Sequence, residues 1–202
     1  MTRRALPRST GMRLAVACLL FGTGGLPART ELEAPTIHDT IDYRDISGNT
    51  RSALIASLDR IALGEPGEER YYANTHWELR WSFRVASTGG DCHVTSASTD
   101  LTVNMRLPRW NPPGNAPRDL IERWNRFSTA LRKHEDGHRD IAIDAAHELA
   151  SRITNTPPAT DCEKLKRNVS RGADAVLDEY RARERHYDDA TGHGRTQGAI
   201  FS

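Results

Sequence analysis

"DLIERWNRFSTALRKHEDGHRDIA", residues 119–142, is the stretch on which the fold turns. Leu120, Trp124, Phe127, Leu131, His134, His138 and Ile141 recur at spacings of three and four, and Ala145 continues the series. That spacing is one face of a single long helix. Two histidines therefore stand on an apolar stripe and face the protein body. Side chains four apart lie one turn above the other, so both imidazoles reach one tetrahedral ion. Glu135 leans beside that ion without ligating it. Zinc lowers the pKa of a water molecule toward neutrality, and a carboxylate so placed takes the proton as the water attacks a carbonyl. The plain alternative is two core histidines bonded to backbone or carboxylates.

A catalytic zinc needs a third protein ligand. Asp144 lies six residues after His138, but Ile141 stands where a sharp turn would require glycine, so the helix runs on and carries Asp144 away. His147 points to the far side for the same reason. The remaining candidates are Glu179 and Glu184 on a following helix and His193, which sits between Gly192 and Gly194 in "DATGHGRTQG". His193 is the expected ligand, because glycine on both sides lets its backbone fold close to a metal.

Outward from this helix, "PRWNPPGNAP" (108–117) holds four prolines in ten residues and breaks the chain, with Pro117 in the first turn of the helix that follows. "TNTPPAT" ends the motif helix or its successor. "TDCE" reads as a capping box, Thr160 with Glu163, opening a second helix with Cys162, Leu165, Val169, Ala173, Val176 and Tyr180 on one face. The tail from Tyr187 reads as irregular. On the other side, "NTHWELRWSFRVAS" alternates at Trp77, Leu79, Trp81, Phe83 and Val85, a half-buried strand whose aromatics belong to the core. "TGGD" turns it into the Val- and Thr-rich "CHVTSASTDLTVNMRLP" as an antiparallel partner. "TRSALIASLDRIAL" places Leu54, Ile55, Leu58 and Ile61 at helical spacing.

The first 28 residues read as an export signal: basic "MTRRALPRSTGMR", a short apolar "LAVACLLFG", then small residues. That run is too short to span a bilayer, so no stable membrane insertion is expected. Residues 29–42 read as a mobile leader and 43–202 as one domain. In an oxidising compartment, the two cysteines beyond the signal, Cys92 and Cys162, pair as a disulfide. The formal net charge of +1 gives no sign of a nucleic-acid partner, and "ERWNRF" and "RARERHYDD" mix both signs as solvated helix faces do.

"THWELRW", "CHV", "LPRW", "HEDGHRDIA" and "YDDATGHGRTQGA", in that order, resemble a bacterial family of predicted secreted zinc-dependent proteases, domain of unknown function 922. The resemblance runs from about Tyr43 to Ala199. It implies a zincin-like metal helix and peptidase chemistry, with His134 and His138 as the metal pair, Glu135 as the general base and His193 matching a C-terminal histidine element. Tyr187 near His193 is a candidate donor to an oxyanion, and Asp189 a candidate partner for a ligating imidazole.

The expected molecule is thus an exported, periplasmic or secreted α+β domain. It has a small antiparallel sheet packed on the metal helix and a C-terminal helix, binds Zn2+ and cleaves a peptide or protein substrate. The rivals are a cell-wall amide hydrolase using the same site and a non-catalytic exported binding module.

Overall fold

The computed structural model describes residues 31–63 and 71–201, so the export signal read in residues 1–28 lies outside the described residues. The elements run β1 (Glu31–Leu32), β2 (Thr36–Ile46), α1 (Arg51–Ile61), β3 (Asn74–Thr88), β4 (Asp91–Trp110), α2 (Arg118–Thr154) and α3 (Cys162–Thr191), with a closing 3-10 turn at Arg195–Gln197. The class is α+β. Among the described residues no helix is long and apolar enough to cross a membrane.

β4 is the centre of the sheet. β3 returns against it antiparallel through the Gly89–Gly90 turn, as the alternation predicts. Its other edge carries β2, and β2 runs parallel to β4 from Thr36↔Asp100 to Ile46↔Trp110, preceded on that edge by the short β1. The sheet is therefore mixed, not antiparallel, and order begins before Tyr43, inside the segment read as a leader. The reason is that β2 is exposed at every residue but Ile46, so its residues carry no buried alternation for the eye to find. Main-chain pairing with β4 holds it, helped by the Arg109–Asp45 and Arg139–Asp39 ion pairs.

Burial along β4 changes phase. Cys92 and Val94 face inward, then Ala97, Thr99, Leu101, Val103, Met105 and Leu107. Between these runs Arg84 pairs with Ser96 and Val85 with Val94, so Thr95 is the extra residue of a bulge. One inserted residue moves every following side chain to the opposite face, and the bulge keeps both halves of a twenty-residue strand buried on one side.

That side packs on α2 and α3. Ala142, Ala145, Ala146 and Leu149 of α2 meet Leu101 and Val103 of the sheet and Leu165, Val169, Ala173 and Val176 of α3. The run of alanines lets the layers approach closely. The N-terminal half of α2 uses larger residues, with Leu120, Trp124, Phe127 and Leu131 packing on Leu54, Leu58, Met105 and Trp110. As expected, α2 passes unbroken through Asp144, which is exposed together with His147.

Helix α3 departs from the sequence reading at both ends. Its cap is Asp161, which accepts from the Glu163 and Lys164 backbone N–H groups at 3.1 Å, rather than Thr160 one residue earlier. Its last turn includes "YDDAT", read as irregular, and stops only at Gly192 in the left-handed conformation. The Cys92–Cys162 disulfide joins the start of β4 to the start of α3, next to a Cys92–Ala159 bridge.

Candidate metal centre

His134, Glu135 and His138 are buried in α2, at 3%, 3% and 6% exposure. Helical spacing places both imidazoles toward α3, and α3 answers with two residues also four apart, Glu184 and Asp188. Asp188 Oδ1 lies 3.2 Å from His134 Nε2 and 3.0 Å from His138 Nε2, and the two Nε2 atoms are 3.3 Å apart. These three atoms form the only cluster of metal-ligand type among the described residues.

The triangle fits zinc. Bonds of about 2.0–2.1 Å at tetrahedral angles put neighbouring ligand atoms about 3.3–3.4 Å apart, and two imidazole nitrogens with one carboxylate oxygen are a common zinc donor set. Three protein ligands leave the fourth position for a substrate or water, as a catalytic site requires.

The far side of each ring fixes its tautomer. His138 Nδ1 is 2.7 Å from Glu184 Oε2, and His134 Nδ1 is 3.1 Å from Gln197 Oε1. Both partners are acceptors, so each Nδ1 keeps its hydrogen and each Nε2 is the nitrogen that would offer its lone pair to a metal once deprotonated. The charges respond to each other in the metal-free protein. Burial alone would lower the His138 imidazole, but its bonds to Asp188 and Glu184 outweigh burial and raise it to about 10. Burial would raise Asp188, yet the bonds to His134 and His138 hold its carboxyl well below the usual carboxylate range.

Glu135 lines the same cleft, a cavity of about 480 Å³ whose walls include Thr75, Tyr71, His193, Arg195 and Phe201. Burial raises its carboxyl above the ordinary glutamate value, opposed by a hydrogen bond from Thr75 and by the two histidines. Thr75 Oγ1 donates to Glu135 Oε2 at 2.8 Å and also reaches the Glu135 carbonyl at 3.2 Å, which fixes the carboxylate against the edge strand β3.

The structure brings the expected histidine pair and glutamate together and puts Asp188 at the third corner of the triangle. His193 is in the cleft but outside the triangle. Its Nδ1 lies 3.3 Å from Asp188 Oδ1, and its Nε2 lies 3.2 Å from the Tyr71 hydroxyl. Among the described residues it is the one non-glycine residue with a positive φ, +51°, flanked by Gly192 and Gly194, which are left-handed too. Backbone of this kind is costly and concentrates at functional sites. Gly194 also comes so close to His134 that an added Cβ would lie 3.0 Å from its ring.

Tyr187 is not in the cleft. Its ring stacks on His134 with centroids 5.1 Å apart, and its hydroxyl donates to the His134 carbonyl at 3.3 Å. It packs against Gly137, where any side chain would strike the phenol. Tyr187 thus clamps the back of the motif helix, and Tyr71, whose hydroxyl meets His193, lines the cleft. Asp189 is exposed, and the role expected of it falls to Glu184. Glu179 is paired with Arg183 on the surface.

Sequence reasoning missed Asp188, Thr75 and Tyr71. A signal for the first was present: Val176, Tyr180, Glu184, Asp188 and Thr191 continue the helix face at spacings of four and three.

The family model that matches this chain is described as "Bacterial protein of unknown function (DUF922)" and covers residues 41–194. No curated protein and no solved structure matches.

Proposed function

We propose, for a chain that belongs to the bacterial family of unknown function DUF922, a zinc-dependent hydrolase of peptide bonds acting outside the cytoplasm. The observation that supports it most is the convergence of His134 Nε2, His138 Nε2 and Asp188 Oδ1 within 3.3 Å of one another, beside the buried carboxylate of Glu135. A structural zinc would need a fourth protein ligand and no base.

Zinc held by these three atoms supplies a Lewis acid that polarises a carbonyl and acidifies water. The chain's residues do the rest. Glu135 takes one proton from the attacking water and delivers it to the leaving nitrogen, and the second proton of that water follows to the amine, so the amide yields a carboxylate and an ammonium. Thr75 keeps the Glu135 carboxylate turned into the cleft. Glu184 and Gln197 hold the two imidazoles in the ligating tautomer. Tyr71, whose hydroxyl is bonded to His193 in the wall of the cleft, is the candidate donor to a developing oxyanion. The Cys92–Cys162 disulfide is consistent with an oxidising compartment.

The test is zinc-loaded protein against a panel of peptides and peptidoglycan fragments, run beside Glu135→Gln. Cleavage in the first and at least a hundredfold less in the second is expected for loss of a general base. Equal rates in both would refute the assignment.

A further inference from the structure

The outer face of α2 carries a groove beside the cleft. Arg123, Arg126 and Lys133, three and seven residues apart, line one wall, with Asn125, Gln197 and Ile200 beside them; among the described residues no acid lines this cavity of about 720 Å³. Two acids in this half of the helix are engaged with other cations, Glu122 with Arg118 at 3.0 Å and Asp136 with Arg132 at 2.8 Å. Arg126 and Lys133 are exposed and make no ion pair among the described residues. "ERWNRF", which by sequence mixes both signs, is therefore sorted in space. Its positive side chains gather on one face.

Groove and cleft share a wall. Ile200 lines both cavities and is 53% exposed. Gln197, which lines the groove, is the residue that holds His134 Nδ1 at the floor of the metal site. An extended chain seated in the cleft and crossing Ile200 enters the groove directly.

We propose that the groove is a substrate-recognition site for an acidic peptide segment adjoining the bond to be cleaved, an inference that rests on the hydrolase reading. Carboxylates meet Arg126 and Lys133 there, where no acid among the described residues lines the groove, and Ile200 covers itself against the apolar part of the same chain. Charge complementarity of this kind selects partners and is weakened by salt.

The experiment measures binding apart from turnover. Fluorescent peptides of one apolar core, followed by three Asp, three Ser or three Lys, are titrated into full-length Glu135→Gln by anisotropy at low and high salt. The Asp peptide binds about tenfold tighter than the Ser peptide, and the gap closes with salt. In Glu135→Gln with Arg126→Glu and Lys133→Glu, both changes being at exposed positions, the order reverses in favour of the Lys peptide. Equal affinity for all three peptides, or an Asp preference unchanged by the double reversal, overturns the proposal. So does binding to vesicles of anionic lipid without binding to the Asp peptide. The same peptides given to the zinc-loaded unmutated protein separate the two ideas: cleavage without charge preference sinks the groove alone, and charge-selective binding without any cleavage sinks the hydrolase alone.

Discussion

The hydroxyl of Thr75 donates to Glu135 Oε2 across 2.8 Å, tying the edge strand of the sheet to the helix that carries the histidines. The bond stabilises the charged carboxylate against the cost of its burial. Removing it in Thr75→Val raises the Glu135 pKa, so the acidic limb of the activity profile moves up by about one pH unit, as expected for loss of a hydrogen bond to a charged group. A pH–rate profile of the two proteins checks this, with zinc content unchanged.

His138, raised to about 10 in the metal-free protein, carries a proton at neutral pH that a metal must displace. Zinc uptake at pH 7 therefore releases about one proton per ion, and affinity falls as pH drops. Titration calorimetry in two buffers of different ionisation enthalpy reads the proton count directly. In the metal-free protein, the stability contributed by this histidine is fully present below its unfolded pKa of about 6.5 and is lost as pH rises through about 10.

Gly137 is required by Tyr187. A methyl group at 137 meets the phenol that stacks on His134, so Gly137→Ala loses about 1–3 kcal/mol by overpacking. Combining it with Tyr187→Ala costs less than the sum of the two single changes, because the clash is gone. Denaturant melts of the four proteins of the cycle measure the coupling.

The Cys92–Cys162 bridge closes a span of 70 residues and anchors α3, which carries Asp188 at its other end. Reduction lowers stability by about 4 kcal/mol on the chain-entropy account. Because the bridge lies at the opposite end of α3 from Asp188, zinc content of the folded, reduced protein stays near one ion per chain.

Much of this was legible in the sequence for definite reasons. The motif helix, the β3–β4 hairpin and the inner face of α3 each bury one side, so a period of 3.6 or 2 is written into them. β2 buries neither side and is held by main-chain pairing, which leaves no pattern to read. Asp188 was overlooked because three glycines after Thr191 drew the helix end too early. Once α3 is carried to Thr191, Asp188 falls under the histidines, and His193 passes the turn to become a cleft residue on a left-handed backbone.

Zinc stoichiometry by elemental analysis, on the unmutated chain beside Asp188→Asn and His193→Ala, tests the central claim most directly. Three ligands at His134, His138 and Asp188 require about one ion per chain in the first, strong loss in Asp188→Asn and retention in His193→Ala. Retention in Asp188→Asn with loss in His193→Ala would contradict the geometry, and no zinc in the unmutated chain would remove the metal centre altogether.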